Sequence, residues 1–164
     1  RAVAAEGGLP IILYNIPQFT KVPIEVDTVA ALAQEPGIVG IKDSSGNLAA
    51  YQQMVTRAQS DTFGVITGSD HLVFASLAFG GDGCIGTGLN LAPGWFIALW
   101  DAAQAGRWQE ARALQIRITE LHARIAFGDF PANIKAALSL MGIGNGQVAA
   151  PRRSTGRRSH APRA

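Results

Sequence analysis

Residues 38–47 read Ile-Val-Gly-Ile-Lys-Asp-Ser-Ser-Gly-Asn, and they carry most of the fold prediction. The apolar, β-branched run before Lys42 predicts a strand buried on both faces, and the polar residues after it predict a turn and a helix cap. A lysine at the end of such a strand is unusual, because an ammonium buried without a partner is destabilising. Burial lowers the lysine pKa from about 10.4, and the neutral amine attacks ketones to form a Schiff base. The alternative is that Lys42 extends its amine from the strand end into solvent. This stretch alone favours neither interpretation.

The rest of the chain repeats the same pattern of a short apolar run followed by a helix. The predicted strands occupy residues 10–15, 38–42, 63–67 and 84–88. Periodicity predicts helices over residues 25–35, 48–60, 71–79, 93–105, 107–127 and 131–141. Strands spaced this way are typical of parallel β/α units with right-handed crossovers, so the chain is predicted to be an α/β protein.

Polar or glycine residues end each of the four predicted strands. They are Tyr14-Asn15, Lys42-Asp43, Ser69-Asp70 and Thr87-Gly88. The carboxyl ends of parallel strands lie at one edge of the sheet, which is where α/β proteins carry their active sites. A second interpretation stays open for Ser69 and Asp70, because either residue can also cap the helix that follows.

Composition excludes several classes of protein. The 164 residues are 48% hydrophobic and 16% charged, as in a folded domain, and no apolar run approaches the ~18 residues of a membrane span. The single cysteine, Cys84, cannot form an internal disulfide, which favours a reducing, cytoplasmic compartment. No cluster has metal-ligand spacing and no glycine loop has a dinucleotide fingerprint, so we expect no metal and no cofactor.

The basic charge of the chain is confined to its end. Residues 151–164 contain five arginines and no acidic residue, and without them the formal charge falls from +2 to −3. We therefore expect no nucleic-acid partner and a disordered tail over residues 147–164.

Four motifs, in this order and spacing, resemble the dihydrodipicolinate synthase / N-acetylneuraminate lyase family. They are Tyr14-Asn15-Ile16-Pro17, Gly40-Ile41-Lys42-Asp43, Gly68-Ser69-Asp70 and Gly80-Gly81-Asp82-Gly83-Cys84-Ile85-Gly86. Members of this family are class I aldolases with a (β/α)8 barrel, usually assembled as homotetramers. The resemblance implies that residues 1–146 are the C-terminal half of such a barrel, with strands five to eight and the C-terminal helices.

The resemblance also implies roles for single residues. Lys42 falls on the Schiff-base lysine, which attacks the keto carbon of pyruvate or another 2-keto acid, and Tyr14 falls on a tyrosine that relays protons beside it. Ile85, Thr87 and Gly88 fall where the family shapes its substrate cavity, although packing alone is an alternative role for them.

Phe19 departs from the family pattern. Dihydrodipicolinate synthases typically have an arginine at this position to bind a substrate carboxylate, which a phenyl ring cannot do. Phe19 as a substrate-binding residue therefore favours an aldolase or dehydratase of a sugar-derived 2-keto acid. The alternative is 4-hydroxy-tetrahydrodipicolinate synthase.

The largest departure is the number of strands, because a complete barrel needs about 250 residues. The threonine-rich loop that binds the pyruvate carboxylate, and a second relay tyrosine, belong to strands one to four of the family. One alternative is therefore an inactive half-barrel with a structural role.

Open sheet edges and an uncovered apolar face predict association, either as a homo-oligomer or with a complementary N-terminal half-barrel.

Overall fold

The computed structural model describes residues 1–150, which contain one sheet of four parallel strands. The strands are β1 (Ile11–Asn15), β2 (Ile38–Asp43), β3 (Gly64–Thr67) and β4 (Gly83–Cys84). They lie side by side in chain order, and each is hydrogen-bonded to the next. This order is expected for consecutive strand–helix units, because a right-handed crossover places each new strand beside the previous one.

Eight α-helices accompany the strands within the described residues. They are α1 (Ala2–Glu6), α2 (Pro17–Thr20), α3 (Val26–Leu32), α4 (Leu48–Ala58), α5 (Val73–Ala78), α6 (Pro93–Gln104), α7 (Trp108–Ile125) and α8 (Ala132–Leu140). The predicted cap of α4 is confirmed, since the Asn47 side chain accepts a hydrogen bond of 3.1 Å from the Ala50 backbone N–H. Gly106, with φ of +70°, ends the turn that separates α6 from α7.

Helices α3 and α4 cover one face of the sheet. Ile41 of β2 and Val65 of β3 are fully buried there against Met54 and Tyr51 of α4. Tyr51 Oη donates a 2.9 Å hydrogen bond to the Val65 carbonyl, so the largest side chain of this core is also tied to the sheet. Burial raises the pKa of the Tyr51 phenol above its usual range.

A second core lies where α6 and α7 pack on α5. Leu99 of α6 and Ile118 of α7 are fully buried and belong to the same cluster as Val73 of α5. At the start of α7, Trp108 meets Phe74 edge to face with ring centroids 6.1 Å apart. This cluster fixes α7 beside the last two strand–helix units.

The structure corrects two local predictions. The strand predicted over residues 84–88 is only Gly83–Cys84, after which the chain turns into a 3₁₀ turn at Gly88–Asn90. The helix predicted over residues 71–79 begins as a 3₁₀ turn, and the Ser69 side chain makes no capping hydrogen bond there. Asp70 does not cap it either, because its carboxylate is bonded elsewhere, to the backbone N–H of Gly88.

The other face of the sheet is open within the described residues. Ile12, Tyr14 and Ile85 lie on it with 47%, 49% and 47% of their surface exposed. Along β1 these exposed residues alternate with Leu13 and the buried Asn15, as expected for a strand with one covered face. Across residues 1–150, β1 and β4 each pair with one strand only, so both sheet edges are also open.

The end of the described chain has turns but no helix or strand over residues 141–150. The predicted domain boundary at residue 146 falls in this stretch, and most of the predicted tail, residues 151–164, lies outside the described residues. Within residues 1–150, every helix is too short or too polar to serve as a membrane span.

Substitution of Gly81 should test the packing of Tyr51 on the sheet. A Cβ atom at Gly81 would lie 2.0 Å from Tyr51 Oη and 3.0 Å from the Ser76 carbonyl oxygen. Overpacking of this kind destabilises a core by about 1–3 kcal/mol. We expect Gly81→Ala to lower the free energy of unfolding by that amount in urea denaturation. The matched control is Gly94→Ala in α6, where nothing lies within 4 Å of the added carbon and alanine favours the helix. Equal unfolding midpoints for the two variants would contradict this account.

Candidate active site

Lys42 and Tyr14 lie side by side at the carboxyl ends of β2 and β1. They are register partners in the parallel pairing of the two strands. Lys42 Nζ lies over the Tyr14 ring, 4.4 Å from its centroid. Lys42 is half-buried and Tyr14 is half-exposed, so the amine is shielded by the ring without being closed off from a ligand.

Gly68 makes room for the lysine. A Cβ atom at this position would lie 1.9 Å from Ser44 Oγ and 2.9 Å from Lys42 Cε. The Gly68 N–H also donates to the Asp43 carbonyl oxygen at 2.6 Å, which continues the sheet one residue beyond β3. Only glycine permits the lysine side chain to cross the end of β3 at this distance.

A buried polar pair on the covered face of the sheet sets this geometry. Asn15 Nδ2 donates to Asp43 Oδ1 at 2.7 Å, and each residue is 3% exposed. Ser45 Oγ donates to Asp43 Oδ2 at 2.9 Å, and Asn15 Oδ1 accepts the Ile24 N–H at 3.0 Å. The polar atoms at the ends of β1 and β2 are therefore satisfied on one face, while the neighbouring phenol and amine point to the other.

An open cleft of about 300 Å³ surrounds the lysine. Its lining residues are Tyr14, Ile16, Gln18, Phe19, Lys42, Ser44, Gly68, Ile85, Thr87 and Phe130. Phe19 and Phe130 face each other at the mouth with ring centroids 6.5 Å apart. Gln18 Nε2, in α2, donates to the Ser44 and Ser45 carbonyl oxygens at 2.8 and 3.1 Å, which holds α2 to the loop after β2.

Comparison with known proteins decides the family. The sequence profile of the Dihydrodipicolinate synthetase family matches residues 1–158. The chain belongs to this family. The 4-hydroxy-tetrahydrodipicolinate synthase of Acidiphilium cryptum is 40% identical over 144 residues, which are 88% of this chain and 49% of the relative. That of Nitrosomonas eutropha is 38% identical over 151 residues, 92% of this chain and 51% of the relative. The chain thus spans about half the length of the curated relatives it matches.

Solved structures of the dihydrodipicolinate synthase family give the same result. A putative dihydrodipicolinate synthase from Thermus thermophilus superposes with a TM-score of 0.84 at 37% identity, over 93% of this chain and 52% of that one. A chloride-inhibited dihydrodipicolinate synthase from Acinetobacter baumannii, complexed with pyruvate, gives 0.86 at 32% identity, over 95% and 53%. The predicted fold class, the C-terminal half of a (β/α)8 barrel, is confirmed.

The structure brings together only part of the residue set that the sequence predicts for the Schiff-base site. Phe19, Ile85 and Thr87 line the cleft with Lys42 and Tyr14. The three that lie outside the lining are Ser69, Asp70 and Gly88. Asp70 is 4% exposed and is bonded to Gly88 and to His122, so its carboxylate faces protein groups.

Five lining residues were missed by the sequence analysis: Ile16, Gln18, Ser44, Gly68 and Phe130. The first four lie within three residues of the ends of β1, β2 and β3, so extending the strand-end rule by three residues would have found them. Phe130 lies between α7 and α8 and carries no local signal. Within the described residues, no three His, Cys, Asp or Glu side chains are placed to hold a metal ion.

Cys84, next to this site, is expected to be an unreactive thiol. Burial, reinforced by the nearby Asp70 carboxylate, raises the pKa of Cys84 to about 12. Since the thiolate is the reactive form, we expect iodoacetamide at about pH 8 to alkylate native Cys84 at least a hundredfold more slowly than the same chain in denaturant. The native rate should still be rising with pH beyond 9, the ordinary value, whereas the denatured rate levels off. Equal rates in both states, followed by intact mass, would contradict the raised pKa.

Proposed function

We propose that Lys42 forms a Schiff base with pyruvate or a related 2-keto acid. The observation that carries this proposal is the half-buried amine lying over the Tyr14 ring, at a strand end that opens into a cleft. The amine nitrogen bonds to the keto carbon, and the carbonyl oxygen leaves as water after gaining protons. The resulting iminium withdraws electrons from the next carbon. A proton can therefore leave that carbon, or a carbon–carbon bond to it can break, and the electron pair of the broken bond moves into the iminium.

Tyr14 is the proposed proton carrier for these steps. Its phenol can give a proton to the departing hydroxyl and recover one from the carbon beside the iminium. It is the titratable neighbour that the register of β1 and β2 places against the amine. Asp43, the next residue of β2, points to the covered face and is already engaged with Asn15 and Ser45, so it is not proposed as the base.

Two candidates remain for the reaction that follows Schiff-base formation. The curated relatives are named 4-hydroxy-tetrahydrodipicolinate synthase, which favours condensation of pyruvate with an aldehyde to give that product. Phe19 and Phe130 favour the other candidate, cleavage or dehydration of a sugar-derived 2-keto acid. These rings present apolar surface at the cleft mouth, where a carboxylate would find no cation among the lining residues other than Lys42.

We further propose that turnover requires strands from outside this chain. The described residues supply four strands with an open inner face, and the relatives are about twice as long. A complementary N-terminal half-barrel, or the corresponding part of a longer protein, would close that face and complete the carboxylate site. A homo-oligomer that covers the same face is an alternative. The single Cys84 supports a reducing, cytoplasmic setting for the reaction.

Trapping the Schiff base tests the nucleophile directly. The chain has three lysines, Lys21, Lys42 and Lys135. Reduction with borohydride in the presence of pyruvate should add the mass of one reduced adduct, and peptide mapping should place it on Lys42. Lys42→Ala should lose the adduct. Lys135→Ala is the matched control, because Lys135 is exposed on α8 with its Nζ bonded to the Gln147 carbonyl oxygen, and it should keep the adduct.

The same assay separates the two parts of the proposal. It is run on the folded chain alone and on the chain mixed with the N-terminal half of the Acidiphilium cryptum relative. An adduct confined to, or strongly enhanced in, the mixture supports the need for the missing strands. If neither sample forms an adduct, the Schiff-base proposal is wrong. Turnover of a 2-keto acid by the chain alone, at ordinary enzyme rates, shows that the additional strands are not required.

Substitution of Phe19 should change which aldehyde is accepted. Phe19→Arg adds a guanidinium at the cleft mouth. In whichever preparation turns over, a charge-assisted hydrogen bond to carboxylate should raise kcat/KM for a carboxylate-bearing aldehyde by about tenfold. The value for an uncharged polyhydroxy aldehyde should stay level or fall. Phe19→Leu, which adds no charge, controls for loss of the ring. If the unsubstituted protein already prefers the carboxylate-bearing aldehyde and Phe19→Arg adds nothing, the sugar-derived candidate is wrong.

A further inference from the structure

Asp70 is the centre of a buried hydrogen-bonded cluster beside the cleft. Its Oδ2 accepts the Gly88 N–H at 2.7 Å, and its Oδ1 is 3.9 Å from Cys84 Sγ. A Cβ atom at Gly86 would lie 1.5 Å from Asp70 Oδ1, so the chain after β4 passes directly against the carboxylate. This carboxylate thereby holds the segment of residues 84–88.

Helix α7 supplies the remaining partners of Asp70. His122 Nε2 lies 2.5 Å from Asp70 Oδ2, and the His122 side chain is 22% exposed. Two turns earlier on α7, Gln115 Nε2 donates to the Asp70 carbonyl oxygen at 2.9 Å. The Gln115 Oε1 accepts the Phe74 N–H at 2.8 Å. Two side chains of α7 therefore clamp the start of the segment that follows β3.

The segment of residues 84–88, which Asp70 holds, carries one wall of the cleft. Ile85 and Thr87, which line the cleft with Tyr14, alternate with Cys84, Gly86 and Gly88, the three residues that contact Asp70. β4 ends at Cys84, so beyond the Ile85 N–H, which donates to the Thr67 carbonyl oxygen at 3.0 Å, the sheet no longer holds this wall. Beyond Ile85, the segment is held by the hydrogen bond from the Gly88 N–H to the Asp70 carboxylate.

We infer that His122 is a positioning residue, which fixes Asp70 and, through Gly88, holds the Ile85–Thr87 wall of the Lys42 cleft. His122 is not among the residues that line this cleft, so its effect reaches the substrate through residues that do. The wall is one side of the cleft that also holds the amine, and the substituent of a larger 2-keto acid, which fills more of the cleft than pyruvate does, would press on it. This consequence for substrates rests on the proposed Schiff-base function, whereas the consequence for the wall does not.

The test uses three variants of α7. His122→Leu keeps the bulk but removes the hydrogen bond to Asp70. His122→Gln restores an N–H at nearly the same reach, because the amide nitrogen is separated from Cβ by as many bonds as Nε2 of histidine. Arg124→Gln is the control, since Arg124 is exposed on the same last turn.

The first measurement is hydrogen–deuterium exchange of the peptide covering residues 84–90. Loss of one hydrogen bond to a carboxylate should speed its exchange by about tenfold in His122→Leu, with wild-type protection returning in His122→Gln and unchanged in Arg124→Gln. Unchanged exchange in His122→Leu overturns the inference. Loss of protection throughout residues 1–150 also overturns it, because His122 would then support the whole fold instead of this wall.

The second measurement compares adduct formation on Lys42 for pyruvate and for 2-oxohexanoate, in whichever preparation forms the adduct. In His122→Leu the preference between the two acids should change by about tenfold, because misplacement of a wall affects the larger substrate most, and His122→Gln should restore it. Equal loss for both acids would overturn the inference. If even the unsubstituted protein forms no adduct, the proposed function fails, and the exchange measurement alone decides the role of His122.

Discussion

The hydrogen bond from Asn15 Nδ2 to Asp43 Oδ1 joins two almost fully buried residues on the helix-covered face of the sheet. A slip of one residue between β1 and β2 would leave both groups unpaired in the core, and an unpaired buried polar group is strongly destabilising. Tyr14 and Lys42 immediately precede these two residues, so the register that satisfies the buried pair also places the phenol beside the amine. The chemistry proposed for one face therefore depends on a polar contact on the other.

The first three strands could be predicted because their signals are local. An apolar run, a polar stop and a capping residue such as Asn47 all lie within one strand–helix unit, and the structure confirms that cap. Lys42 was singled out for the same reason, since a lysine directly after Ile38–Ile41 contradicts the apolar pattern of a buried strand.

The last strand and the role of Asp70 could not be predicted in this way. Asp70 in a Gly-Ser-Asp sequence has the composition of a helix cap, and nothing nearby in sequence reveals that His122 is its partner. Phe130 was missed for a related reason, because it reaches the cleft from the connection between α7 and α8. These contacts depend on tertiary packing of the C-terminal helices, which local propensity does not encode.

The strand order has a consequence for how the chain reaches this structure. Each strand pairs with the next one in sequence, so β1, β2 and β3 can assemble by closing loops of a few tens of residues, and such local contacts favour fast folding. The contact between Asp70 and His122 spans 52 residues and needs α7 in place. The cleft wall and the Phe130 ring would then become ordered only after the lysine and tyrosine are already side by side.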